Sequence, residues 1–194
     1  MAKTWTRQEF VSEFSPYVNG ITKGTGIFPG TLFAQAILES SRDGRVGASG
    51  LSQEANNFFG IKADKGWKGK VYNAKTREVY GGKDTYIKDD FRKYDSVKDS
   101  LKDYVSFLQL NPRYAKAGVF NAKSVEEQAE ALKRAGYATD PKYASIVSSV
   151  YNSIKGAIST SVEKAKTNPL PTALIVTLLA VSVYALIKTL KNKT

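Results

Sequence analysis

FPGTLFAQAILESS, residues Phe28 to Ser41, is the stretch on which the reading of the whole chain turns. Pro29 stands where a helix can begin, because its missing N–H and fixed φ suit a first turn. Leu32, Phe33, Ala36 and Ile37 then recur at helical spacing, which predicts a short helix with a wide apolar face. Glu39 falls in the last turn, beside Ile37 and Leu38. A helix end carries partial negative charge there, and apolar neighbours exclude water, so both effects favour the protonated carboxyl. A carboxyl kept protonated near neutral pH is what general-acid catalysis requires. A solvated Glu at a frayed helix end would have the same local sequence. The rest of the chain has to decide between the two.

The 194 residues suffice for one medium domain and an appendage. A hydrophobic content of 42% with 11 Tyr, 9 Phe and 2 Trp describes a chain that buries a core. There is no Cys and no His. Disulfides, thiolate chemistry, Ser-His and Cys-His nucleophiles and His-based metal sites are thereby excluded. Acid–base chemistry is left to carboxylates, Tyr and Lys, and no metal or cofactor is called for. The net charge is +11; residues 160–194 hold five Lys and one Glu, or +4, which leaves +7 on the preceding part. Such a surface attracts polyanions: nucleic acid, anionic lipid or an anionic wall polymer. Nucleic acid is not expected, because zinc-finger spacing, a basic helix and an RNA-binding aromatic signature are all lacking, and the basic residues are scattered among acids.

Before the decisive stretch, MAKTWTRQEF lacks the apolar core of a secretory signal. Thr6 can cap a helix whose stripe is Phe10, Val11, Phe14 and Val18, ending near Gly20. After it, RDGRVGASGLSQEANN reads as loop. From Trp67 to Lys93 the residues Val71, Tyr72, Val79, Tyr80, Tyr86 and Ile87 are strand formers, with Gly81-Gly82 as a turn. This predicts a two- or three-stranded antiparallel lobe that carries Glu78, Asp84, Asp89 and Asp90. Ser96 opens a helix with Val97, Leu101, Tyr104, Val105 and Leu108, stopping before Pro112. Ser124 and Glu127 form a capping-box pattern ahead of a helix that Gly136 ends, and a last helix follows Pro141 with Tyr143, Ile146, Val147, Val150, Tyr151 and Ile154. The domain is therefore placed at 1–159. TSVEKAKTNPLP, residues 160–171, reads as a linker. Thr172 to Ile187 then runs sixteen residues without a charge, which predicts a transmembrane helix over 172–190 and a basic tail at 191–194.

Eight segments in order, AQAILESS, NNFFGIKA, W-KG, T-REVY, F-RKYDS, DYVSFL, NPRY and AGYATDPKY, carry a resemblance. The chain resembles the glucosaminidases of the flagellar-rod muramidase type, glycoside hydrolase family 73, from about Phe10 to Ile154. The resemblance implies an α+β, lysozyme-like fold: a mainly helical lobe, a small antiparallel β-lobe and a cleft between them. It implies hydrolysis of β-1,4 bonds in peptidoglycan, usually after N-acetylglucosamine. Glu39 matches the general acid, Glu78 the proposed second carboxylate, and Tyr137 a tyrosine important to the cleft. Asp84, Asp89, Asp90 or the substrate's own acetamido group could replace Glu78. Asn57, Phe58, Gly60 and Ile61 match the cleft floor, and Trp67, Arg92, Tyr94 and Tyr114 line or buttress the groove. By their own sequence setting, Phe58 and Phe59 read as core more readily than as ligand-binding residues.

The pattern is departed from in two places. The loop after the acid reads SSRDGRVGASG where relatives often carry SGWG, so the cleft edge should differ. Family members are commonly exported or carry wall-binding repeats, whereas here the anchor is C-terminal. The implied partners are glycan strands, a lipid bilayer through residues 172–190, and virion or envelope proteins. The implied location is a single-pass membrane protein, either in a phage with an internal membrane or in the bacterial cell envelope. A lytic transglycosylase or muramidase on the same fold, or a non-catalytic glycan-binding protein, are the rival readings.

Overall fold

The structure, a computed structural model, describes residues 2–80 and 83–167, and their side chains except at 76–80, 83–87, 165 and 166. The turn Gly81-Gly82, the transmembrane helix expected at 172–190 and the tail 191–194 lie outside the described residues. Among the described residues no helix is long and apolar enough to cross a membrane. The chain divides into residues 1–161 and 162–194 by its internal contacts, and the first unit holds both the core and the groove.

Helix α1, Arg7–Thr22, starts with a reciprocal cap. The Thr6 hydroxyl accepts from the Glu9 N–H at 3.2 Å, and the Glu9 carboxylate accepts from the Thr6 N–H at 2.7 Å. Its apolar stripe of Phe10, Val11, Phe14 and Val18 is buried as the spacing predicts. Helix α2, Pro29–Ser40, is the decisive stretch and starts at its proline. Nine of its twelve residues are buried, so it runs through the body and not along its surface. Two glycines make that course possible. A Cβ at Gly30 would fall 2.6 Å from the Tyr151 ring, and one at Gly26 would fall 2.5 Å from the Phe120 carbonyl oxygen. Trp5, Phe10, Phe14, Phe33 and Phe58 pack against one another around α1 and α2, with Phe10 and Phe58 stacked at 5.6 Å.

The run after α2 is not all loop. Arg42 to Arg45 is a tight hairpin turn with Asp43 and Gly44 at positive φ, and Ser49 caps a short helix α3, Gly50–Ala55. Strands β1, Lys70–Tyr80, and β2, Lys83–Lys93, form a two-stranded antiparallel sheet in the register Lys70 opposite Lys93 through Tyr80 opposite Lys83. The segment before β1 is pinned to β2: Ala63 N–H donates to Asp90 O at 2.8 Å and Arg92 N–H to Ile61 O at 3.0 Å.

Helix α4, Val97–Leu110, is capped by Ser96 and buries Leu101, Tyr104, Val105 and Leu108. The chain does not simply break at Pro112. That proline starts a one-turn helix α5, Pro112–Lys116, as proline does at a first helical position. Helix α6, Val125–Arg134, is capped by Ser124, though Glu127 reaches back to the Lys123 N–H and not to that of Ser124. Helix α7 spans Tyr143–Thr167 and so extends into the stretch read as linker. The α+β reading holds: a helix-rich body with one small antiparallel sheet.

Candidate active site

Glu39 is the penultimate residue of α2, and its position is fixed from both sides. The Ser40 hydroxyl donates to Ala36 O and the Ser41 hydroxyl to Ile37 O, both at 2.6 Å. Downstream, Ser49 N–H donates to Ser40 O at 2.9 Å and Gly47 N–H to the Ser40 hydroxyl at 3.2 Å. The acid is thus carried by a clamped helix end.

Glu39 lines two cavities at once. One, of about 550 Å³, also has Phe59, Gly60, Ile61, Lys62, Asp64, Phe107, Arg113, Tyr114, Tyr137 and Ala138 in its walls. The other, of about 370 Å³, lies toward the hairpin turn, α3 and β1, and has Arg42, Ser49, Tyr72, Asn73 and Lys75 in its walls. A third, of about 360 Å³, continues past Asp64 and Phe107 to Trp67, Arg92 and Asp103. Shared residues join the three into one groove with Glu39 near its middle.

As a residue Glu39 is exposed, because the groove runs over it. Its carboxyl nevertheless stands among apolar and aromatic walls that displace bulk water. That desolvation pushes its pKa up from 4.5 to about 7. No hydrogen-bond donor among the described residues reaches the carboxylate to reverse the effect. The position at a helix C-terminus acts in the same direction. A protonated carboxyl facing a groove can donate its proton to a bound acceptor oxygen.

Beneath the acid lies a set of aromatic hydroxyls. Gln35, one turn before Glu39 on the same helix face, is fully buried; its side-chain carbonyl accepts from the Tyr104 hydroxyl and its amide donates to the Tyr143 hydroxyl. Burial raises the Tyr104 and Tyr143 hydroxyls well above the ordinary tyrosine range, and the nearby Glu39 charge adds to both. Tyr137 follows the glycine that ends α6 and packs on Tyr143 at 5.8 Å, Tyr104 at 6.3 Å and Tyr114 at 6.4 Å. Its hydroxyl is buried without a hydrogen-bond partner among the described residues, and its pKa is likewise raised by burial and by neighbours that include Glu39.

The other expected site residues divide. Gly60 and Tyr114 are in the wall with Glu39, although Tyr114 is buried behind the surface and takes a hydrogen bond from Arg113 at 2.7 Å. Asn57 is not on the floor. It is buried, its amide donates to Ile61 O and Arg92 O at 2.9 Å each, and its side-chain carbonyl accepts from Ile61 N–H at 3.1 Å. It shapes the loop that presents Phe59 and Gly60. Phe58 is a core residue stacked on Phe10, and the adjacent Phe59 is the one that reaches the groove.

Trp67 and Arg92 line the far end of the groove, with the guanidinium 4.6 Å from the Trp67 ring. Arg92 is spent internally on Asp103 at 2.9 Å and Asp64 at 3.3 Å. Tyr94 is buried and donates to Asp103 at 2.7 Å, so it buttresses Arg92. Glu78 sits in β1 opposite Thr85, and its side chain, like that of Asp84, lies outside the described residues. Asp89 pairs with Lys62, and Asp90 accepts from Asn73 at 2.8 Å. Sequence reasoning missed Gln35, Asp64, Tyr104 and Tyr143 as parts of the site and leaned toward core for Phe59, which reaches the groove. A Gln four residues before the acid, inside an apolar face, was the available signal.

Comparison with known proteins points the same way. Residues 15–156 match the glucosaminidase family, described as mannosyl-glycoprotein endo-beta-N-acetylglucosaminidase. The chain is 37% identical over 154 residues to the peptidoglycan hydrolase FlgJ of Vibrio parahaemolyticus, covering 79% of this chain and 49% of that protein. It spans about half the length of the curated FlgJ relatives it matches. Among solved structures, the truncated glycoside hydrolase domain of Salmonella typhimurium FlgJ is 34% identical, with a TM-score of 0.57 over 77% of this chain and 98% of that one. The catalytic domain of the autolysin Auto from Listeria monocytogenes is 31% identical, with a TM-score of 0.66 over 83% of this chain and 90% of that one.

Proposed function

The chain belongs to the glucosaminidase family of glycoside hydrolases, and we propose that it cuts β-1,4 glycosidic bonds of peptidoglycan as an endo-β-N-acetylglucosaminidase. The carrying observation is a carboxyl pushed up to about 7 at the junction of two cavities in one groove. Its similarity to proteins named peptidoglycan hydrolase supports the choice of polymer.

Glu39 donates its proton to the leaving glycosidic oxygen as the bond to the sugar's anomeric carbon breaks. The positive charge developing on that carbon is met either by a second carboxylate, for which we propose Glu78, or by the sugar's own acetamido oxygen. Water then completes the hydrolysis, and Glu39 regains its proton. Tyr137 acts from within the wall, where its buried hydroxyl, without a hydrogen-bond partner among the described residues, lies close enough to the acid to interact with the Glu39 carboxyl. Phe59 and Gly60 shape the sugar platform, Asn57 holds their loop, and Trp67, Arg92, Tyr94 and Tyr114 support the walls.

The test is digestion of purified peptidoglycan by the full chain and by its Glu39→Gln variant, with released fragments read by mass spectrometry. Fragments with reducing-end N-acetylglucosamine from the wild type alone are expected. Reducing-end N-acetylmuramic acid would make it a muramidase, and anhydro-muramic ends a lytic transglycosylase. Binding without release would leave only a glycan-binding protein.

We further propose that residues 172–190 anchor the enzyme in a bilayer and that it acts locally, at the bacterial envelope or from a phage virion with an internal membrane. The support is the uncharged run Thr172 to Ile187 with lysines after it. Resistance of the protein to alkaline extraction from membranes checks the anchor, and its presence in purified virions or only in host envelopes separates the two locations.

A further inference from the structure

The charges lining the groove do not balance. In the cavity with Phe59 and Tyr137, Lys62 pairs with Asp89 and Asp64 pairs with Arg92. Arg113 is left over. Its guanidinium donates to the Tyr114 hydroxyl and lies 4.8 Å from the Tyr114 ring, with no carboxylate partner among the described residues. In the cavity on the other side of Glu39, Arg42 is exposed and has no ion pair among the described residues. Its backbone is held by the tight turn, with Arg42 N–H to Arg45 O at 3.1 Å and Arg45 N–H to Arg42 O at 2.9 Å. One uncompensated arginine therefore stands in each arm of the groove, and the protonated acid stands between them.

Resting on the peptidoglycan reading, we propose that Arg42 and Arg113 are two carboxylate-binding subsites that read the acidic substituents of muramic acid on either side of the bond being cut. Peptidoglycan strands alternate a plain amino sugar with one that carries a lactyl group and a peptide stem. Whichever of the two glycosidic bonds lies at Glu39, one substituted sugar falls on each side of it. A guanidinium presents a planar fork of N–H donors that matches a carboxylate in two-point geometry. Tyr114 braces one such fork from behind, and the hairpin turn fixes the backbone of the other. The carboxylate can come from the lactyl group itself or from the stem peptide. A neutral homopolymer such as chitin offers neither.

The test measures binding by calorimetry in the full-length Glu39→Gln background, so that turnover is not needed. Three probes are compared: stem-bearing glycan oligosaccharides, the same oligosaccharides after an amidase has removed the stems and left the lactyl carboxylate, and a neutral chitin tetrasaccharide. Arg42→Gln and Arg113→Gln should each lower the affinity ratio of carboxylate-bearing to neutral ligand by about 10-fold. Raising salt from low to about 0.5 M should narrow the ratio where the arginines are present. Loss confined to the stem-bearing probe assigns the stem carboxylates, loss confined to the amidase-treated probe assigns the lactyl carboxylate that the stem's amide bond otherwise masks, and loss on both shows that the arginines take either one. Equal losses on all three probes, or no loss on any, overturn the proposal. Arg→Lys variants, which keep the charge but not the fork, should recover only part of the ratio. Failure to digest peptidoglycan would count against the hydrolase reading alone, since the binding ratios are measured without it.

Discussion

Replacing Glu39 by Gln should make the protein more stable above neutral pH while abolishing wall lysis. The side chains are nearly the same size, so the change removes the ionisation and little else. In the native groove desolvation holds the pKa at about 7, against 4.5 for the free side chain. The sign follows from proton uptake. Below pH 4.5 the carboxyl is neutral in both states, and its burial carries no charge penalty. Between 4.5 and about 7 the unfolded chain gives up its proton while the native protein keeps it, so stability falls as pH rises. Above about 7 the full penalty is present. At about 1.36 kcal/mol per pH unit the gap corresponds to roughly 3.4 kcal/mol. The residue is exposed to the groove, and solvent screening brings this to about 1–2 kcal/mol. Thermal unfolding of the full chain in mild detergent, wild type beside variant, from pH 4 to 9, reads the difference. At roughly 2–4 °C per kcal/mol, the variant should melt several degrees higher at pH 8 and converge with wild type below pH 4.5. A variant that melts no higher than wild type at pH 8, or a gap that does not change with pH, would refute the desolvated-acid reasoning.

Three other outcomes are expected from the same geometry. The rate of clearing of a cell-wall suspension should fall as pH rises through about 7, because the proton donor is then lost; a rate still rising at pH 8 would remove Glu39 from that role. Gln35→Leu leaves the buried Tyr104 and Tyr143 hydroxyls without their shared partner and should cost about 2–4 kcal/mol in urea unfolding. Asp103→Ala strips both Arg92 and Tyr94 of an acceptor and should cost about 3 kcal/mol, with a change in Trp67 fluorescence as the guanidinium leaves its ring.

What the sequence made legible was whatever depended on local rules. The proline start of α2 and the place of Glu39 in its last turn follow from Pro29 and the apolar spacing after it, whereas its burial on nearly every side does not. The caps at Thr6, Ser96 and Ser124 marked three further helix starts. Helices α3 and α5 were not legible, because six and five residues are too few to show a period. The neighbours Phe58 and Phe59 show a second limit. In a turn there is no repeat to say which of two adjacent rings points inward, and the loop bonds of Asn57 decide it. The third limit is distance along the chain. Gln35 joins Tyr104 and Tyr143 across 69 and 108 residues, and Arg92 is neutralised by Asp64 and Asp103 from different segments. A list of charged and aromatic groove residues cannot separate those that face ligand from those spent on each other.

That separation bears on why the acid sits on this helix. A carboxyl desolvated by its surroundings works against folding by about 1–2 kcal/mol once ionised. On a loop, the chain would relax and rehydrate it, and its pKa would fall back. On α2 it cannot, because Leu32, Phe33 and Ile37 on the same helix are buried almost completely, each contributing about 1.5–3 kcal/mol. The bonds from Ser40 and Ser41 back into the helix, and from Gly47 and Ser49 onto Ser40, close the remaining exit. Burial along α2 thus offsets the cost of the desolvated carboxyl at its end. The same clamp places Arg42, three residues on, at the start of a turn beside the acid, so the residue proposed to read the substrate is fixed by the element that holds the proton donor.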